Sequence, residues 1–399
     1  TMVDDDGGRF DAADLSGMIS KITAGATSSL GNIKMDDYTS DNLSLMVSKV
    51  TAGATGALGK ISMDGYTSDN LSAMVEKVTA GATGALGKIS MDGYTSENLS
   101  AMVEKVTAGA TGALGDITMV DADGGKFDAS DLSGMVTQIT AGATEALGDI
   151  TMVDADGGKF NVSDLPEMIS KITAGATSAL GNIQMDGYSN DNVSSLAMNI
   201  TSSTTNALSN ISMAGFNPDN ISSEITNSVS SGASIGMTNL QSKSSAPLIT
   251  SVSSSTPNGK YNAGKNIVIS LNFNKAVNVD NSSGSPTLIL ETGSIDRLAV
   301  YTSADNSTLN FTYTIQPGDD SPNLDVKSNN SLLLNGATIK SADNESAMLF
   351  IPTGDATNSL SSNKVIVVDT LAPSVSSFIL YDVALKAGVA VIAINSYAR

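Results

Sequence analysis

Between residues 61 and 88, in "ISMDGYTSDNLSAMVEKVTAGATGALGK", apolar side chains fall at Leu71, Met74, Val75, Val78, Ala82, Ala85 and Leu86, and Ile89 continues the series. Gaps of three and four residues put them on one stripe of an α-helix. Thr67, Ser68 and Asp69 offer N-cap candidates just ahead of it. The spacing predicts a helix over 69–79 and over the equivalent stretches elsewhere. In one of these, Pro166 falls within the first turn, where a missing N–H is harmless.

The pattern is a repeat. Met recurs at 2, 35, 63, 91, 119, 152, 185 and 213, at intervals of 28 or 33 residues. An aromatic follows each, at Phe10, Tyr38, Tyr66, Tyr94, Phe127, Phe160, Tyr188 and Phe216. The longer units carry five extra residues between the Met and the aromatic. One unit cannot bury its apolar stripe alone, whereas stacked neighbours can, so the Met, Leu and Val positions are core.

Past residue 79 two readings stand. Gly81 could be a C-cap that ends the helix, with a short second helix over 82–87. Alternatively the helix runs on to about residue 89, and Gly81 and Gly87 let a neighbour approach closely. A 20-residue helix spans about 30 Å, too far for a six-residue loop to return, so continuous helices would have to alternate up and down. The favoured expectation is broken helix pairs stacked as a solenoid. From about residue 194 the pattern frays: "TAGAT" becomes Thr201-Ser202-Ser203-Thr204-Thr205, and the eighth unit reads as a degenerate remnant. Residues 222–245 are Ser- and Asn-rich and read as a linker.

After Ala246-Pro247 the period changes to two. "NIVISLNF" (266–273) puts Ile267, Ile269, Leu271 and Phe273 on one face, and "TLNFTYTI" (308–315) does the same with Leu309, Phe311, Tyr313 and Ile315. Further strands are expected at 248–253, 287–291, 298–302, 332–340 and 364–369, with Pro, Gly, Asn and Asp clusters between them. That many strands in so short a stretch suggests a β-sandwich. The expected fold class is multidomain: an all-α repeat array, helical and solenoid-like, over 1–221, then an all-β sandwich.

The second part resembles a known family. "STPNGKYNAGKNIVISLNFNKAV" (255–277), "PTLILETGSIDRLAVYTS" (286–303), "LNFTYTIQPGDDSPNLDV" (309–326), "LLLNGATIKSADNESA" (333–347) and "SNKVIVVDTLAPSV" (362–375) look like bacterial Ig-like repeat domains. Such domains stand in tandem along very large surface and adhesin proteins, and the likeness covers 246–373. "DTLAP" (369–373) resembles the junction between two such domains, and "ILYDVALKAG" (379–388) the opening strand of the next. Residues 374–399 are therefore expected to be the start of a truncated further domain. The chain also opens inside a repeat and is expected to be a fragment. The helical repeats resemble arrays in predicted bacterial surface proteins. The resemblance implies an extracellular or cell-surface location.

Composition narrows the chemistry. The chain has no Cys and no His, which excludes disulfides, thiolate or His-ligated zinc and any Ser-His-Asp or Cys-His catalytic set. Nothing singles out a carboxylate pair for acid–base work, and an enzyme is not expected. No run of about 18 apolar residues occurs, so no membrane insertion is expected. Of the net charge of −20, the first 245 residues hold −17. That sign argues against nucleic acid and anionic lipid, although a solvated acidic surface is its ordinary role.

One chemical candidate remains. The three longer units insert aspartate-glycine loops such as "ITMVDADGGKFDASDLSGMV" (117–136). Calcium takes several hard oxygens from a flexible turn, and Gly lets the chain bend around the ion. With one residue deleted, the second loop fits a 12-residue EF-hand frame: Asp121 and Asp123 at positions 1 and 3, Asp128 at 9, Asp131 at 12. Asp4, Asp6, Asp11 and Asp14 follow suit, as do Asp154, Asp156, Asn161 and Asp164. The resemblance is to EF-hand or dockerin-type loops, from which these depart: they are one residue short, lack the fifth ligand, and carry Asp for the bidentate Glu. Calcium is the one cofactor implied, bound weakly. The competing reading makes the same residues tight turns and helix caps, and the balance tips slightly to the turn. In the second domain Asp319, Asp320, Asp343 and Asp369 read as solvated turn carboxylates. The expected function is a non-enzymatic structural or adhesive segment with cell-surface or matrix ligands as partners; a calcium-responsive binding module is the alternative.

Overall fold

The structure is a computed structural model that describes residues 12–33, 39–61, 66–89, 94–118, 127–151, 160–185, 187–219, 221–241, 246–354 and 356–370. Its N-terminal part is built from α1 (Ala12–Ser29), α2 (Ser40–Leu58), α3 (Ser68–Leu86), α4 (Ser96–Gly112), α5 (Leu132–Glu145), α6 (Leu165–Ala179), α7 (Asn190–Ala207) and α8 (Ser223–Gln241). Five of them, α1 and α4 to α7, run directly into a short 3-10 turn.

The helices do not break at Thr-Ala-Gly-Ala-Thr, which corrects the favoured expectation of helix pairs. Gly81 sits inside α3 rather than at a left-handed cap. A methyl group there would lie 2.5 Å from the Ser20 carbonyl oxygen of α1, so glycine is required for close approach. Gly109 meets Ser48 in the same way, Gly142 meets Glu76, Gly175 meets Glu104 and Gly232 meets Ser170. In α7 the equivalent residue is Ser203, whose hydroxyl donates to the Thr137 carbonyl at 2.6 Å. Every helix from α3 onward thus seats one small residue on a backbone carbonyl of the helix two before it.

This rule produces two layers. The odd helices α1, α3, α5 and α7 pack side by side, as do the even helices, and contacts within a layer outnumber those between successive helices. Neighbours in a layer are parallel: Gly87 at the end of α3 lies against Ile150 beyond α5, and Ser72 near its start faces Met135 of α5. Successive helices run antiparallel. One core joins the N-terminal halves of odd helices (Leu71, Met74, Val78, Met135) to the C-terminal ends of even ones (Leu114, Ile117, Leu180). A second core reverses the roles, joining Leu99, Met102 and Val106 to Leu86, Ile89 and Leu147. Each such side chain, fully removed from water, contributes about 1.5–3 kcal/mol.

The stretch expected as a Ser/Asn-rich linker is α8, which packs along α6. Its stripe of Ile225, Val229, Ala233, Met237 and Leu240 is buried, so the eighth unit is a full member of the array.

The C-terminal part is all β, as expected. β1 (Ile249–Ser254), β3 (Asn266–Phe273), β5 (Thr287–Glu291), β6 (Arg297–Asp305) and β7 (Thr308–Thr314) form an antiparallel sheet. β10 (Leu332–Leu333) extends it in the order β1-β3-β7-β6-β5-β10, and β9 (Asp325–Val326) also pairs with β5. β2 (Gly259–Tyr261), β8 (Asp320–Ser321) and β12 (Ile366–Asp369) make a small three-stranded sheet, and β4 (Asn278–Asp280) pairs with β11 (Thr338–Lys340). Ile269, Leu271 and Phe311 of the large sheet share one core with Ile366 and Val368 of β12 and Ile339 of β11. The run expected as one strand over 332–340 is split, because Asn335 and Gly336 adopt φ of 52° and 94° and turn the chain. The short helix α9 (Leu360–Asn363) precedes β12. The expected strand at 379–388 lies outside the described residues.

Candidate functional site

The aspartate-glycine loops are described only in part. Asp4, Asp6, Asp11, Asp121, Asp123, Asp154 and Asp156 lie outside the described residues, and Asp14 is placed by its backbone alone, in the first turn of α1. The third and fourth positions of two loops are described. In the second loop the Asp128 amide donates to Asp131 Oδ2 at 2.9 Å. The Ser130 amide and hydroxyl both donate to Asp128 Oδ1, at 2.7 and 2.6 Å. These bonds hold the Asp128 carboxyl below its ordinary range, the Ser130 hydroxyl contributing most.

The third loop repeats the arrangement. The Asn161 amide donates to Asp164 Oδ2 at 2.8 Å, and the Ser163 amide and hydroxyl donate to Asn161 Oδ1 at 2.9 and 2.8 Å. Asn161 and Asp164 form a reciprocal cap on the 3-10 turn that leads into α6, and Asp128 and Asp131 make the same bonds in the turn just ahead of α5. The shorter units do the same with other residues: Thr39 with Asn42, Thr67 with Asn70, Thr95 with Asn98 and Ser189 with Asn192. Asp128, Asp131, Asn161 and Asp164 therefore brace the turns that lead into α5 and α6. Among the described residues no three carboxylates converge on a point. Those that are described do not include the first two ligands of any loop.

Three of the described tyrosines are held by the same turn. The hydroxyls of Tyr66, Tyr94 and Tyr188 reach back and donate to the carbonyls of Leu58, Leu86 and Leu180, each of which also accepts from the amide three residues later. Burial pushes the Tyr66 phenol up to about 12 and raises Tyr94 and Tyr188 further. Phe127 and Phe160, in the longer units, fill the same space without the bond.

In the β domain one expectation is corrected: Asp319 is buried, not solvated. Its Oδ1 accepts from Arg297 Nε at 2.8 Å, and its Oδ2 from the Tyr313 hydroxyl at 2.6 Å and the Gln316 amide at 2.8 Å. Burial alone would raise its pKa, but these donors outweigh burial and hold it low. The arrangement staples β6, β7 and the following turn together. Asp369 pairs with Lys260 at 2.6 Å, while Asp320 and Asp343 are exposed. Asp325, unnoticed in the sequence, is buried and accepts from the Gly354 amide and the Ser361 hydroxyl. Burial raises its pKa. No periodicity marks such a carboxylate, because its donors come from distant turns.

A cavity of about 90 Å³ lies between α8 and the β domain, lined by Ser234, Ile235, Met237, Ile249, Phe350 and Pro352. Substrate pockets usually enclose about 300–1,000 Å³, so this is a packing gap. Among the described residues no helix is long and apolar enough to cross a membrane.

No family model matches the chain, and no curated protein is found to be similar to it. One solved structure, described as "Computational Design of Self-Assembling Cyclic Protein Homooligomers", is similar over 59% of this chain and 88% of its own, at 11% identity. Its TM-score is 0.27, too low to carry an argument.

Proposed function

We propose that this chain is a non-enzymatic structural segment of a large extracellular bacterial protein, in which the helical units act as a spacer that presents an Ig-like β domain. The observation that supports it most is the seam between the two parts. Ala246, Leu248, Met348 and Phe350 are buried in the same core as Met237 and Leu240 of α8. The Ser194 hydroxyl accepts from the Leu349 amide at 3.1 Å, and Asn190 donates to the Ser346 carbonyl at 3.4 Å. A seam of this kind makes array and β domain one stiff body, as a spacer requires, and the acidic surface keeps it in solution. Surface or matrix ligands would then engage the displayed domain. Fractionation of cells that express the native protein tests the location: recovery at the surface or in the medium is expected, and recovery in the cytoplasm alone ends the reading.

A calcium-responsive module is the second reading, supported by three insertions at one turn of the repeat, each with aspartates ahead of a helix start. Calcium titration by calorimetry, paired with thermal unfolding, tests it. Millimolar binding with a raised melting temperature supports this reading. No heat and an unchanged melting temperature leave the loops as turns and caps.

A further inference from the structure

The rule that builds the array leaves one face of it unfilled. From α3 to α8, each helix turns a face toward the helix two before it, with its small residue on that neighbour's carbonyl. Helices α1 and α2 carry the same face, with Gly25 and Gly53 in the equivalent places, yet among the described residues nothing lies within 4 Å of a methyl built at either. The flanking apolar residues follow suit. Met74 and Val78 of α3, and Met102 and Val106 of α4, are at most 1% exposed, whereas their equivalents Met18 and Ile22 are 43% and 64% exposed. Met46 and Val50 of α2 are only half-buried, and Leu45 beside them is exposed.

The opposite end of the array is closed by the β domain through Leu248, Met348 and Phe350. The two ends therefore differ, and the open one carries half of an interface whose other half is known. Within the molecule that other half is always a helix of this same repeat, offering the carbonyl three residues before its Thr-Ala-Gly-Ala-Thr or equivalent. We infer that the α1–α2 face receives a further pair of helices of the same repeat, held in the same polypeptide ahead of α1. A second copy of this chain fits the face poorly, because the matching carbonyls of its α1 to α6 are already covered by the next helix in each layer, and the β domain packs on the end where α7 and α8 stand. The inference rests on packing alone and does not depend on the spacer reading.

The sequence supplies the probe. Residues 61–117 encode two nearly identical units and end at Ile117, and 118–120 (Thr-Met-Val) then match the Thr-Met-Val that opens the chain. Fusing a copy of 61–117 ahead of Thr1 extends the array in register. Compared with the 399-residue chain, the fusion is expected to unfold several degrees higher and to show at least tenfold slower amide exchange in α1 and α2. Gly25→Leu with Gly53→Leu should abolish both gains in the fusion. In the 399-residue chain, where these positions are open, the same pair should leave the melting temperature nearly unchanged. Unchanged exchange in α1 of the fusion, or gains that survive both substitutions, would overturn the proposal. So would sedimentation showing that the 399-residue chain is a dimer dissociated by Ile22→Lys, since the face would then serve a second copy.

Discussion

The midline between the two helical cores is lined with threonine. The first Thr of each Thr-Ala-Gly-Ala-Thr donates its hydroxyl to a carbonyl within its own helix, as Thr51 does to Val47 at 2.9 Å. The second Thr differs in five of the six: the hydroxyls of Thr27, Thr55, Thr83, Thr111 and Thr177 are buried without a protein partner, whereas Thr144 donates to the Thr140 carbonyl at 2.7 Å. A buried hydroxyl with no partner costs about 1–3 kcal/mol. Thr111→Val, of nearly the same shape, is therefore expected to raise stability by roughly 1 kcal/mol in urea unfolding; a loss of that size would mean the hydroxyl holds a water that the array needs. Asp319 is the opposite case, a buried charge with three donors. Asp319→Asn strands the Arg297 guanidinium and is expected to cost about 3–5 kcal/mol. The folded pKa lies below the ordinary 3.8, so the carboxylate's contribution is fully present above that value and is lost as the pH falls through the folded pKa. Acid titration of the β-domain circular dichroism should show a transition below about pH 3.8 that the Asn variant lacks. Neither residue announces itself in the sequence, because one burial is set by a neighbouring layer and the other by turns far along the chain.

At the scale of the element, the starts of the regular repeat helices are legible and their ends are not. Thr67-Ser68-Asp69 and Pro166 mark their helix starts by local chemistry, and the structure begins α3 and α6 there. Gly81 reads as a stop because nothing near it in sequence shows why it is glycine; the reason is Ser20, in another helix. Helix α8 is hidden for a related reason: its many Ser and Asn residues dominate the sequence, while five apolar residues suffice for the buried stripe. The strands of the β domain were largely readable from alternation, and the break at Asn335-Gly336 is what alternation alone does not register. Of the twelve loop residues, the four whose side chains are described brace the turns just ahead of α5 and α6, with the bonding that Thr and Asn make in the shorter units. Turns between helices also carry a pH response. The buried phenols favour the neutral form, so their contribution is complete below the ordinary value of 10 and is lost as the pH rises through about 12 at Tyr66. Phenolate absorbance and helical ellipticity should therefore change together above pH 10; phenols that ionise near 10 without loss of helix would refute their burial.

For the whole molecule, the seam between array and β domain governs how cooperatively the chain unfolds. Phe350 is 2% exposed and shares a core with Met237 and Leu240. Phe350→Ala is expected to cost about 3–5 kcal/mol at the seam and to separate one thermal transition into two, a helical and a sheet transition resolved by calorimetry. A single transition in both proteins would mean the two parts are coupled elsewhere. The pairing of each helix with the one two units later has a further consequence, for the chain as it is made. A helix leaving the ribosome finds its antiparallel neighbour soon, but its tightest partner, as Ser20 finds Gly81, is about sixty residues behind. At ordinary synthesis rates that is a wait of roughly 3–12 s. The nascent array therefore always carries two helices with one face bare, moving toward the C-terminus as synthesis proceeds. Closure comes when the strands around Leu248 and Phe350 arrive, which makes the β domain the piece that ends the exposure.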